Sequence, residues 1–152
     1  MIIRENVSFS AGNVISYRGK KKPLEMNELL ADMEKYIKIN NAEKSGPMIM
    51  AAYSIDEDAA DSDVGIYIPL NKEIPSSAKF IFMPAFEIIN CAMVKYKGYP
   101  HLVLYAGMEL LERAYAAGLS LKLPLYNVYV YEPDSPEDID KFEIDIHAEK
   151  EK

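Results

Sequence analysis

The sequence reads twice. Tyr17-Arg18-Gly19 and Tyr96-Lys97-Gly98 each close an extended segment, and each is followed by a proline, Pro23 or Pro100. One amphipathic helical stretch and two further strand-like runs come next in both halves. A strand-helix-strand-strand unit used twice predicts an α+β fold. One largely antiparallel sheet then carries both helices on one face and leaves a cleft where the copies meet. Neither half could bury its apolar face alone, so residues 1–152 read as a single domain. Repeat one spans about residues 7–70, a linker 71–85, and repeat two about 86–147.

Charge and cysteine content narrow the function classes. The formal net charge is −7. Phosphate binding needs a basic surface that releases counterions, so nucleic acid is not an expected partner. Cys91 is the sole cysteine, which excludes an intrachain disulfide; in its apolar strand pattern it reads as a small core residue rather than a reactive thiol. The start, Met1-Ile2-Ile3-Arg4-Glu5-Asn6, lacks the apolar stretch of a signal peptide, and no apolar run is long enough to span a bilayer. The expected location is cytoplasmic, with no membrane partner.

Periodicity assigns the elements. Residues 7–17 read as a strand with Val7, Phe9, Ala11, Ile15 and Tyr17 on one face, interrupted at Gly12-Asn13 by a bulge or bend. Residues 19–23 read as a turn. Residues 24–40 read as a helix whose stripe is Met26, Leu29, Leu30, Met33 and Ile37. Strands follow at 48–55 and 64–70, joined by the acidic link 56–63, which is expected to be a solvated hairpin loop. It lacks the central glycine and distal glutamate of a calcium loop. Within the linker, Phe80-Ile81-Phe82-Met83 is too apolar to float free and is expected to pack over the cleft or add a short edge strand.

Residues 86–95 read as a central strand buried on both sides, with Ile88, Ala92, Val94 and Tyr96 opposing Ile89, Cys91 and Met93. Residues 101–117 read as a helix stopped by Gly118 and more buried than the first. Its two stripes are Leu104, Met108, Leu111 and Tyr115, and beside them Val103, Ala106, Leu110 and Ala114. Strands at 125–131 and 142–146 flank a proline-containing turn at 132–137, and the tail from Glu149 is expected to fray.

No catalytic constellation emerges. His101 and His147, the two histidines, have no partner at ligand spacing, and surface placement accounts for both. No glycine-rich phosphate loop exists, and no metal or cofactor is implied. Arg18-Gly19-Lys20-Lys21-Lys22 reads as a solvated turn. Tyrosines carry more information: Tyr53, Tyr67, Tyr96, Tyr99, Tyr126 and Tyr129 sit on or beside strands, and tyrosine supplies apolar area with a hydroxyl that needs a partner.

Several of these stretches resemble the GyrI-like effector-binding superfamily, which includes drug-binding domains of multidrug-responsive regulators and stand-alone gyrase-inhibitor proteins. The matching residues are Cys91-Ala92-Met93-Val94-Lys95-Tyr96-Lys97-Gly98-Tyr99, then Gly118-Leu119, then Leu125-Tyr126-Asn127-Val128-Tyr129-Val130-Tyr131-Glu132-Pro133. Phe142-Glu143-Ile144-Asp145-Ile146 closes the pattern, and Asp63-Val64-Gly65-Ile66 matches in the first half. The resemblance implies an aromatic-lined pocket between the repeats, often with one buried glutamate that pairs with cationic drugs. That glutamate falls two residues before the tyrosine matching Tyr129, where this chain has Asn127. An amide hydrogen-bonds a ligand but does not neutralise a buried cation. A minority of the family are hydrolases using cleft carboxylates, a role Asn127 does not fill.

The expected function is therefore non-catalytic binding of a small apolar or weakly polar ligand, with Asn127, Tyr129, Tyr96, Tyr67 and Tyr53 lining the cleft. The alternative is a protein-interaction module that holds a protein partner in the same cleft or on the sheet face, as the resemblance to gyrase inhibitors implies. Ligand identity and oligomeric state are not legible.

Overall fold

The structure, a computed structural model, describes residues 1–55 and 60–151. Strand β1 runs Arg4–Lys21, and a short 3-10 turn at Pro23–Glu25 leads into helix α1, Met26–Ile39. Strands β2 (Ile49–Ala52) and β3 (Ser62–Pro69) follow. Strand β4 runs Ile81–Gly98, and a second 3-10 turn at Pro100–Leu102 leads into helix α2, Val103–Ala116. Strands β5 (Leu121–Tyr131) and β6 (Phe142–Lys150) complete the order. The prolines set φ for the first turn of each helix, where a missing N–H costs nothing.

The fold is mixed α+β with two helices and antiparallel strands. The sheet closes into a barrel in the order β1-β3-β2-β5-β6-β4 rather than staying open. β1 pairs with β3, and β3 with β2; β4 pairs with β6, and β6 with β5. The halves meet at β2–β5 and again at β1–β4. Closure follows from strand length. β1 and β4 each hold 18 residues, so β1 pairs with β3 near one end and with β4 along the rest. The stretch expected as linker contributes to this: Ile81, Phe82 and Met83 pair with Ser16, Ile15 and Val14 as the start of β4, and the Ser16 hydroxyl donates to the Ile81 carbonyl at 2.8 Å. Phe80 is buried against Tyr17 and Tyr36.

Other expectations change with the packing. Residues 19–21 belong to β1 instead of a turn, and β6 continues to Lys150, paired with Leu121, where fraying was expected. Asn13 takes φ 53° opposite Pro84, and the β1–β4 register runs unbroken across it, so the interruption is a bend and not a bulge. Ala11 and Val14 consequently face the same way, opposite to Ile15 and Tyr17. Asn90 reverses the alternation in β4 at φ 55°, here with a shift of the β1–β4 register: Ile88 and Cys91 share a face, and Ile89 is 60% exposed. The acidic-link expectation falls in part outside the described residues; Ser62 and Asp63 already belong to β3.

Three apolar clusters fill the structure. Leu29, Met33 and Ile37 of α1 pack on Ile15, Ile66 and Ile68. Leu110 packs on Ala92, Val94, Leu125, Ile144 and Ile146 under α2. The third cluster contains no helical residue; Val14, Ile49, Tyr67, Phe86, Ile88, Cys91 and Val128 converge from the inner strand faces and fill the barrel. α2 buries three residues, as α1 does, and leaves fewer positions exposed, as expected. Its inward residues are Gly107, Leu110 and Ala114, while Tyr115 from the other stripe is 75% exposed. Among the described residues, no helix is long and apolar enough to cross a membrane.

Candidate binding groove between the helices

The two helix-bearing clusters meet on β2. Met48 and Met50 pack against both the α1 cluster and the α2 cluster. Across the β2–β5 seam Met50 lies opposite Asn127, and Asn127 lies opposite Ile146 on β6. Paired residues on antiparallel strands share a face, so Asn127 stands between Met50 and Ile146 on the face that carries the helices. Leu125 and Tyr129, two residues away on either side, point the same way. Asn127 is 9% exposed; its amide makes no hydrogen bond among the described residues, and since no fully enclosed polar side-chain atom there is left unpaired, the amide still reaches the surface. It is one of three buried polar side chains there; of the others, Ser16 donates to Ile81 and His147 Nδ1 lies 3.2 Å from the Asp145 carbonyl.

Tyr129 is almost fully enclosed, with its ring edge-on to Phe142 at 6.1 Å. Desolvation, and then the neighbouring Glu132 charge, push its hydroxyl up to about 12. Its backbone N–H donates to the Met48 carbonyl at 2.9 Å, which ties β5 to the residue just before β2. From Met48 the face runs into a cavity of about 90 Å³ lined by Leu30, Glu34, Lys44, Gly46, Met48, Ile68 and Glu132. Desolvation raises the Glu132 carboxyl; Lys44 opposes the shift and Glu34 adds to it. The Glu34 carboxyl is lowered, chiefly by its hydrogen bond from Lys44 at 2.6 Å.

The five residues expected to line one cleft lie on two faces. Asn127 and Tyr129 face the helices. Tyr96 does too, but its hydroxyl donates to the Tyr99 carbonyl at 2.6 Å and braces the turn into α2. Tyr53 and Tyr67 lie on the inner face, with hydroxyl oxygens 2.6 Å apart. Tyr67 stacks on Phe86 at 4.4 Å, and Phe86 meets Tyr126 edge-on at 6.0 Å. Desolvation, then the hydrogen bond with Tyr53, raises the Tyr67 hydroxyl far above its ordinary value. At the mouth of this inner cluster Arg18 lies 3.5 Å over the Tyr53 ring and forms two hydrogen bonds to Asp63. Arg18, read as part of a solvated turn, is indeed largely exposed, but it belongs to β1 and lies against Tyr53 at the edge of this aromatic cluster. His147, expected at the surface, is 3% exposed on the inner face between β4 and β5. Leu30, named from sequence only as part of a helix stripe, and Met48, Met50 and Glu132 were not expected at a site; the available signal was the spacing of Met48 and Met50, two residues apart in an extended run and so on one face.

No protein-family model and no curated protein matches the sequence. Solved structures do. The chain is similar to EcmrR in an EcmrR–DNA complex, with a TM-score of 0.75 and 16% identity over 99% of this chain. It spans 58% of that EcmrR chain. The EcmrR C-terminal domain alone gives a TM-score of 0.72 and 15% identity, covering 100% of this chain and 99% of that one. A hydrolase from Listeria innocua gives 0.57 and 12% identity, covering 99% and 91%. At such identities the likeness is one of architecture: the chain has the fold of the EcmrR C-terminal domain.

Proposed function

We propose that this chain is a non-catalytic, small-molecule (effector) binding protein whose ligand lies in the groove between α1 and α2, over Asn127. The observation that carries the reading is Asn127 itself: a nine-tenths buried residue whose amide makes no protein hydrogen bond among the described residues and still reaches the surface, at the seam of two apolar clusters. A ligand that covered this amide would have to answer it, because burying it unpaired costs free energy; a ligand carbonyl or N–H would do so. Two methionines beside it supply an adaptable apolar floor. The likeness to the EcmrR C-terminal domain, an effector-binding fold, supports the same reading.

We further read the two halves as copies of one module. Aligning Pro23 with Pro100 matches Leu30 with Gly107 and Glu34 with Leu111. Leu30 and Glu34 line the 90 Å³ cavity, while Leu104 and Leu111 of α2 pack against the cluster that includes Met50. Tyr129 joins Asn127 as a ligand-facing residue. An uncharged or weakly polar ligand fits, because an amide offers no countercharge. An amide also does not exchange protons near neutral pH, so the floor suits binding rather than hydrolysis.

Fluorescence titration with Nile red, a neutral dye with a ring carbonyl, tests the reading. Asn127→Leu should weaken binding by about two- to tenfold, the range of one net hydrogen bond. Equal affinity in both forms, or no binding by either, would sink the proposal; in the second case a protein partner becomes the better candidate.

A further inference from the structure

We propose that the Glu34–Lys44 ion pair is a gate that closes a small apolar compartment at one end of this groove, and that the compartment takes an uncharged alkyl or aryl end of the ligand. The proposal rests on the groove being the ligand site. Two hollows adjoin here. The outer one, about 580 Å³, is lined by Glu34, Ile37, Lys38, Asn41, Ala42, Glu43 and Lys44. The inner one, about 90 Å³, lies against Leu30, Met48 and Ile68. Glu34 and Lys44 are the two residues common to both walls, and their charged groups meet at 2.6 Å.

The frame around the pair is fixed while the pair is not. Lys44 bridges to Leu70 through the backbone, Ser45 N–H donates to the Pro69 carbonyl at 2.9 Å, and Asn71 N–H donates to the Glu43 carbonyl at 3.0 Å. Yet the Lys44 and Glu34 side chains are each about half exposed. Exposed pairs between long side chains are weak and screened by salt. Parting them moves two side chains and no backbone. Behind them Leu30, Met48 and Ile68 give the compartment an apolar side and Glu132 a polar one, and Met48 lies two residues from Met50, about 7 Å, so the apolar side continues into the floor at Asn127. Glu132 at the far lip, raised by desolvation, is poorly placed to hold a charge unaided.

Stopped-flow association of Nile red reads the gate, because electrostatic steering does not act on an uncharged dye. Lys44→Met and Glu34→Gln should each speed association about two- to fivefold, the factor matching the usual strength of an exposed pair. High salt should bring the unmodified protein to the same rate and leave the variants unchanged. The charge-swapped Glu34→Lys/Lys44→Glu protein should return to the slow rate. If the dye binds, Asn127→Leu weakens it, and the gate variants associate at the unmodified rate, the gate is overturned while the groove stands. If Asn127→Leu has no effect, or nothing binds, the groove itself is wrong and the gate falls with it.

Discussion

The Tyr96 hydroxyl oxygen lies 2.8 Å from the point where a Cβ on Gly98 would stand, and Gly98 adopts φ 155°. Tyr17 and Gly19 repeat the relationship, at 2.5 Å. This is the physical content of the tyrosine–x–glycine pattern that marks both halves. The ring folds back over the strand end and leaves no room for a side chain two residues on. Gly98→Ala should therefore destabilise by about 1–3 kcal/mol, from backbone strain plus the clash. In a Tyr96→Phe background, where the oxygen is gone, the same change should cost less. A double-mutant cycle in urea checks this, and strictly additive costs would count against the contact.

Which stripe of α2 faces the core is a second test. Leu110 is fully buried, Leu111 partly so, and Tyr115 mostly exposed. Leu110→Ala should cost about 2–5 kcal/mol. Tyr115→Ala should change stability by about 0.5 kcal/mol or less, with Leu111→Ala between them. Denaturant midpoints that rank Leu111→Ala above Leu110→Ala would show the helix to be rotated.

His147 gives the fold a dependence on pH. Desolvation lowers its pKa from 6.5; the hydrogen bond to the Asp145 carbonyl, the Asp145 charge and the Tyr126 backbone oppose this, and Lys95 adds to the lowering. The folded protein thus keeps the imidazole neutral, while the unfolded chain takes up a proton. Stability from this site is complete above pH 6.5 and declines as pH falls toward the lower, folded-state value. His147→Gln should flatten that decline in urea midpoints taken from neutral to mildly acidic pH. An unchanged slope would assign the acid sensitivity to other groups.

Charge at Asn127 should tune ligand class. Asn127→Glu should raise affinity for a lipophilic cation such as crystal violet, since it supplies a countercharge to the groove; a buried ion pair can gain or lose net energy, so only the direction is claimed. Titration of both forms at matched salt is the measurement. Tight binding by the unmodified protein would instead assign the countercharge to Glu132 or Glu34, the carboxylates lining the adjoining cavity. Glu87, on the β1–β4 ribbon beside Ser8 and Ser10, is outside that cavity.

The sequence by itself determined the local order. Pro23 and Pro100 start the helical segments, apolar stripes on both helices call for a sheet to cover them, and Asn127 stands two residues before Tyr129 and so shares its face. These follow from short-range rules, the fixed φ of proline and the periods of helix and strand. Only the tertiary structure decided which face each strand residue meets. Asn13 and Asn90, each a single residue at positive φ, reverse the alternation of their strands, so counting by twos from Val7 or Ile88 puts later side chains on the wrong side. Barrel closure then separated Tyr53 and Tyr67, inside, from Asn127 and Tyr129, beneath the helices. It also buried His147 and drew Glu132 into a cavity wall with residues about 65 to 100 positions away. Parity is set by one dihedral, and closure by pairing between β1 and β4, residues about 65 or more apart in the chain; neither leaves a periodic trace in composition or spacing.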